Sequence, residues 1–328
     1  MTTRRDLLHL LPGLALLAAW PTPAQRRDRP ARIAMLDDAH EGGRANLWAI
    51  FRKRLQELGY AEGKNFLIEP RWSRGEGARL PALAAELVAL KPDVIVTAGT
   101  PPALAAKQAT SSIPIVALGV ADPVGSGLVT SLARPDGNIT GITNFGRDMA
   151  GKWLELVREI APTASSLALL TDTDNKASML IFRELQARAR PLGIAVQVFD
   201  GRNRSNVERA FGAIARERMD GLIVSAAGAL LEQRRQIIET AAHQRIPAVY
   251  GRTAYVDAGG LLSYGADLGP LWTRAADYVH RILQGTKPAE LPIEQASTFK
   301  LVLNFKTAKA LGLKIPQSIL VRADVVIQ

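Results

Sequence analysis

The chain has 328 residues, 47% of them hydrophobic, a formal net charge of +10 and no cysteine. That length and apolar content suit two domains of about 150 residues, each with its own core, and argue against a disordered chain. Lack of cysteine excludes disulfides, thiol nucleophiles, thiolate metal sites and a lipid-modified cysteine. The basic residues are scattered beside acids, as in Arg52-Lys53-Arg54-Leu55-Gln56-Glu57, so no nucleic-acid partner is expected.

In chain order, residues 1–24 read as an export signal. Arg4-Arg5 precede an apolar run, Leu7 to Ala19, and a small-residue cleavage site at Thr22-x-Ala24. The run holds His9 and Pro12 and is shorter than the ~20 residues of a membrane span. Paired arginines point to the twin-arginine route, which carries folded proteins. The expected product is periplasmic and not lipid-anchored. Arg26-Arg27-Asp28-Arg29 then read as a solvated terminus.

Strand-like and helix-like segments alternate from about residue 31 to 286. Arg32–Leu36 is an apolar strand ending at Asp37-Asp38. Leu47, Ile50, Phe51, Leu55 and Leu58 recur at helical spacing over 44–59, and Gly59 stops the helix. Phe66–Trp72 reads as a strand, Leu80–Leu90 as a helix opened by Pro81, Asp93–Thr97 as a strand buried on both faces, Pro101–Ala109 as a helix and Ile113–Leu118 as a strand. Turn residues at Arg134–Asn138 mark a break. Ile139–Thr143 leads to a helix over Asp148–Ile160. A second series follows, with strands at Ser166–Thr171, Ile194–Phe199, Gly221–Val224, Ala248–Tyr250 and Gly259–Tyr264. Its helices lie near 176–190, 204–217, 228–243 and 268–283. Such alternation implies parallel βαβ units, as two α/β lobes or as one large open sheet.

Ligands of open parallel sheets meet the carboxyl ends of the strands. The candidates are therefore Asp37, Asp38, Gly99, Thr100, Pro101, Ala121 and Asp122 in the first series. In the second they are Thr173, Asp174, Asn175, Ala226, Ala227 and Arg252. Gly99-Thr100-Pro101 reads as a tight turn into a helix whose free N–H groups suit a carboxylate, or as an ordinary cap. Asp172 to Asn175 fit a capping cluster or acceptors for an ammonium. Arg252 could clamp a carboxylate or sit at the surface. Catalytic signatures are missing: no G-x-G-x-x-G follows the first strand, and no P-loop or G-x-S-x-G elbow occurs. Beyond residue 24 the histidines are His40, His243 and His280, and none forms a metal-ligand pair. No catalytic residue, cofactor or metal is expected.

Several stretches carry a resemblance. They include Leu58-Gly59-Tyr60-x-Glu62-Gly63-x-Asn65, Pro92-Asp93-Val94-Ile95-Val96 and Gly99-Thr100-Pro101-x-Ala103-x-Ala105-x-Lys107. Further on come Asp122-Pro123-Val124-x-x-Gly127-Leu128-Val129, Arg134-Pro135-x-Gly137-Asn138-x-Thr140-Gly141, Gly259-Gly260-Leu261-x-Ser263-Tyr264-Gly265 and Lys306-Thr307-Ala308-Lys309-Ala310-Leu311-Gly312. In order over nearly the whole mature chain, they resemble ABC-transporter substrate-binding proteins of the tryptophan/tyrosine type.

The resemblance implies an α/β type I periplasmic-binding-protein fold, two Rossmann-like lobes with parallel sheets flanking a ligand cleft. Lobe one is expected over 31–142 with a contribution from roughly 270–300, and lobe two over 143–265 with roughly 300–328. Gly141–Asn144 is the expected first crossover and Ser297–Phe305 a late one. The candidates above, with Tyr264, map to the cleft. Relatives often carry small or hydroxyl residues where this chain has Asp37-Asp38. If Asp37 faces the cleft, it favours a cationic or hydroxyl-rich group. The implied function is capture of a small solute, such as an amino acid or related carboxylate, for the membrane permease of an ABC importer, by a monomer. An exported ligand-sensing receptor subunit and an exported α/β enzyme remain alternatives.

Overall fold

The computed structural model describes residues 29–145 and 148–328, and the export signal expected over 1–24 lies outside them. Lobe one begins with β1 (Ala31–Asp37), α1 (Ala45–Glu57), β2 (Phe66–Trp72), α2 (Leu80–Ala89), β3 (Val94–Ala98), α3 (Thr100–Ala109), β4 (Ile115–Ala121) and β5 (Ile139–Phe145). Lobe two follows with α4 (Asp148–Ile160), β6 (Ser166–Thr171), α5 (Lys176–Ala189), β7 (Ala195–Asp200), α6 (Arg204–Arg216), β8 (Gly221–Val224), α7 (Arg234–His243), β9 (Ala248–Tyr250), α8 (Thr253–Asp257) and β10 (Leu262–Ala266). The chain then returns through α9 (Leu268–Leu283) and β11 (Glu294–Gln295) to lobe one. It ends in lobe two with β12 (Phe299–Asn304), α10 (Phe305–Ala310), α11 (Gln317–Arg322) and β13 (Val325–Ile327).

Two separate sheets form, which rules out one large sheet. Their strand orders are β11-β5-β4-β3-β1-β2 and β13-β12-β10-β9-β8-β6-β7. All five β3 residues are buried because helices cover both faces. On one face Trp48, Phe51 and Leu55 of α1 meet Trp272, Ala275 and Val279 of α9. On the other lie Leu83 and Leu87 of α2 and Ala103 and Ala106 of α3. The second sheet is sandwiched likewise, by α4 and α5 on one side and α6 and α7 on the other. Gly141 is required where β5 passes β4, since a Cβ there would lie 2.7 Å from the backbone C and N of Ala117.

The chain crosses between lobes after β5, after β10 and after β11. Three expectations change. The late crossover expected at Ser297–Phe305 is mostly strand: the apolar run Leu301-Val302-Leu303 is buried and pairs with β10, leaving only the link from β11 to cross. That pairing is antiparallel, Tyr264 opposite Leu301, so the second sheet is not wholly parallel. Ala121 ends β4 rather than following it. Among the described residues no helix is long and apolar enough to cross a membrane.

Candidate functional site

The carboxyl ends of both sheets face one seam, and the lobes are shut on it. The His40 backbone N–H of lobe one donates to Glu232 Oε1 of lobe two at 2.8 Å, and His40 Nε2 lies 3.4 Å from Oε2. Gly228 of lobe two abuts the Asp38 carboxylate of lobe one so closely that a Cβ there would overlap it. Cavities run along the seam. An outer chamber of about 770 Å³ lies at its mouth, a central cavity of about 30 Å³ behind Asp38, and a hinge-side cavity of about 250 Å³ beyond Arg252.

The centre of the seam is built on the end of β1. Adjacent residues leaving a strand point to opposite sides, and here Asp38 lines the cavities while Asp37 turns inward. Asp37 pairs with Arg44 Nη1 and accepts hydrogen bonds from Trp48 Nε1 and the Ala39 N–H, both at 2.8 Å. The expectation that Asp37 faces the cleft is therefore corrected: its carboxylate is consumed by α1. Arg44 Nη2 lies 2.7 Å from Asp38 Oδ1, an ion pair whose angles fall outside a directed hydrogen bond. Burial pushes the Asp37 carboxyl up, opposed by Arg44 and reinforced by Asp38. Burial acts to lower Arg44, but the two carboxylates carry it above its ordinary value. Arg44 thus holds two buried acids in place at the cleft wall.

Gly99 adopts φ +106°, and a Cβ there would stand 2.7 Å from Asp38 Oδ2, so only glycine lets β3 turn beneath that carboxylate. Thr100 Oγ1 accepts the Ala121 N–H at 3.1 Å. Pro101 and Pro102 leave Thr100 as the sole N–H among the first three residues of α3, so this helix start is a poorer anion cradle than the glycine-threonine turn promised. From lobe two, Arg252 is 9% exposed, its Nε donates to the Ala226 carbonyl at 2.7 Å, and among the described residues no carboxylate lies within 4 Å of it. Burial and the facing Arg44 pull its pKa down to about 10. Asp172 caps the turn before α5, its Oδ1 accepting the Asp174 N–H at 3.0 Å. Burial pushes it up to about 6, with Asp38 and Asp200 adding and Arg202 opposing.

The seam gathers most of the expected residues. Asp38, Gly99, Thr100, Ala121, Asn175, Ala226, Ala227 and Arg252 line the central cavity, and Pro101 and Asp174 line the outer chamber. Four stand apart, beginning with Asp37. Asp122, at φ +40°, accepts the Gly125 N–H in a turn. Thr173 lines none of the three cavities. The Tyr264 ring stacks on Phe299 at 5.9 Å, while its carbonyl accepts Trp153 Nε1. Sequence reading missed Arg202, which bridges Asp172, Asp174 and Asp200, and Asn144 and Ser178 in the central cavity. Asn144 was accessible to the strand-end rule, because it lies near the end of β5.

The family model for ABC transporter substrate binding proteins matches residues 40–327. A tyrosine-binding protein of Clostridioides difficile (strain R20291) is 27% identical over 264 residues, 80% of this chain and 76% of that protein. An ABC domain from Streptococcus pneumonia in complex with L-Trp is 26% identical, with a TM-score of 0.84 over 91% of this chain and all of that one. A ligand-free, open substrate-binding protein with adhesive properties from Clostridium difficile is 23% identical, covers 91% of this chain and 99% of that one, and gives a TM-score of only 0.64. The fold is that of type I periplasmic binding proteins.

Proposed function

The chain belongs to the ABC transporter substrate-binding protein family, and we propose that its seam holds an α-amino acid for delivery to the permease of an ABC importer. The family is one of solute-binding proteins rather than enzymes. One observation carries the amino-acid reading: Arg252 of lobe two, buried without a carboxylate partner, lines the same small cavity as the Asp38 carboxylate of lobe one. A cation and an anion on opposite walls match a zwitterion, with the ligand carboxylate on Arg252 and its ammonium toward Asp38. The central cavity, about 30 Å³, is small for that head group, so the lobes part to admit it. The side chain then extends into the outer chamber, beside Leu80, Pro101 and Ala229. Relatives that bind tyrosine and L-Trp support a large side chain there.

In this reading β1 to β5 with α9 and β11, and α4 to β10 with β12 to β13, move as two bodies. The protein works as a monomer in the periplasm, delivered by a twin-arginine signal cleaved near Ala24. Arg4-Arg5→Lys-Lys abolishes export if that route is used. Native mass spectrometry of the purified protein, then a thermal-shift screen of the twenty amino acids and small organic acids, tests the function. An amino acid should raise the melting temperature with concentration. Stabilisation by sugars or polyols alone would refute the proposal.

A further inference from the structure

The amide oxygen of Asn144 is a polar atom of the seam that neither the lobes' own bonding nor the Asp38–Arg252 pair uses. It lies near the end of β5, on the segment that leads into the first crossing between lobes. The residue is 8% exposed, and Oδ1 is buried with no hydrogen-bond partner among the described residues. It lines the central cavity with Thr100 and Gly119 on its own side and Ser178 and Arg252 across the seam. Buried polar atoms are nearly always paired, so an unpaired acceptor on a cavity wall marks where a donor from outside the protein belongs. Gly119, at φ +60°, borders the amide: a Cβ there would stand in ordinary contact, 3.6 Å from Asn144 Nδ2 and 3.9 Å from the Trp272 ring.

We propose that Asn144 determines specificity by accepting a hydrogen bond from the α-ammonium of the bound amino acid. The assignment rests on the amino-acid reading of the seam. Asp38 supplies the charge that favours an ammonium, and it does so from the end of β1. The amide oxygen on β5 supplies a second direction, which only a ligand with a donor at that point satisfies. An analogue without the amine leaves that oxygen buried and unpaired, so the cleft should reject it.

The test is isothermal titration with L-tryptophan and with its des-amino analogue indole-3-propionate, repeated with L-tyrosine and its phenolic des-amino counterpart. Asn144→Ala should lower affinity for the amino acid on the order of 10-fold, leave that for the des-amino acid unchanged or raise it, and so shrink the ratio between them. A general packing defect would weaken both ligands together. Asn144→Asp retains an acceptor of the same shape and should preserve the ratio. Amino-acid binding with an unchanged ratio in Asn144→Ala, or a ratio in Asn144→Asp as small as in Asn144→Ala, would overturn the assignment alone. No binding of either amino acid by the unmutated protein would overturn the amino-acid reading and this assignment with it.

Discussion

Gly228→Ala places a single methyl group on the lobe-two wall of the seam. Gly228 does not require a positive φ, so alanine costs lobe two little on its own account. In the shut form, however, its Cβ would meet Cγ and both oxygens of Asp38 inside the 3.0 Å limit that real Cβ contacts respect. The carboxylate has nowhere to retreat: its side chain is 8% exposed and held by Arg44 at 2.7 Å. Overpacking of this kind costs about 1–3 kcal/mol. Because the clash exists only when the lobes meet, that cost falls on closure, weakening ligand binding by roughly 5- to 150-fold. Isothermal titration should read this loss, while the melting temperature of the ligand-free protein stays near the unmutated value. Small-angle scattering should show the variant remaining extended at ligand concentrations that compact the unmutated protein. Unchanged affinity would refute the claim that closure presses Gly228 onto Asp38.

Arg44→Met should be among the most damaging single changes in lobe one. It strands two buried carboxylates, costing about 3–5 kcal/mol, and a companion Asp37→Asn should recover part of the loss in thermal denaturation. Asp172→Asn tests the other wall. An ordinary aspartate titrates at 3.8 and this one at about 6 in the shut form, so it destabilises that form above pH 6 and is relieved as pH falls toward 4. The difference corresponds to about 3 kcal/mol at most. Asp172→Asn should therefore stabilise the ligand-bound protein at pH 8 and have no effect near pH 4, as followed by urea unfolding; equal effects at both pH values would count against it. Gly141→Ala forces a methyl group into the Ala117 backbone and should destabilise lobe one on the order of 3 kcal/mol, seen as early loss of the α1–α9 tryptophan signal on heating.

The two-lobed fold is legible because local signals agree. Apolar runs such as Asp93–Thr97 announce strands buried on both faces, and the spacing of Leu47, Ile50, Phe51 and Leu55 announces a one-faced helix, although Trp48 rather than Leu47 is buried on it. The tail is less legible. Leu301-Val302-Leu303 carries no mark of which strand it will join, and its antiparallel pairing with β10 is decided by tertiary packing. For the site, the strand-end rule finds the right loops but not the parity of their side chains. Asp37 and Asp38 are chemically identical in sequence, and the choice between them is made by Arg44 and Trp48, which reach Asp37 from α1. Likewise Pro101 looks like a favourable helix start, yet together with Pro102 it strips donors from the end that was to hold an anion. Arg252 is recognisable only as a candidate, because its want of a carboxylate partner among the described residues is a three-dimensional fact.

A crystal structure with L-tyrosine or L-tryptophan bound tests the central claim most directly. The account predicts one amino acid between the closed lobes, its carboxylate on the Arg252 guanidinium and its ammonium facing Asp38, with the side chain directed toward Leu80 and Pro101. A ligand seated away from the seam, or between the lobes with Arg252 uncontacted, would contradict it.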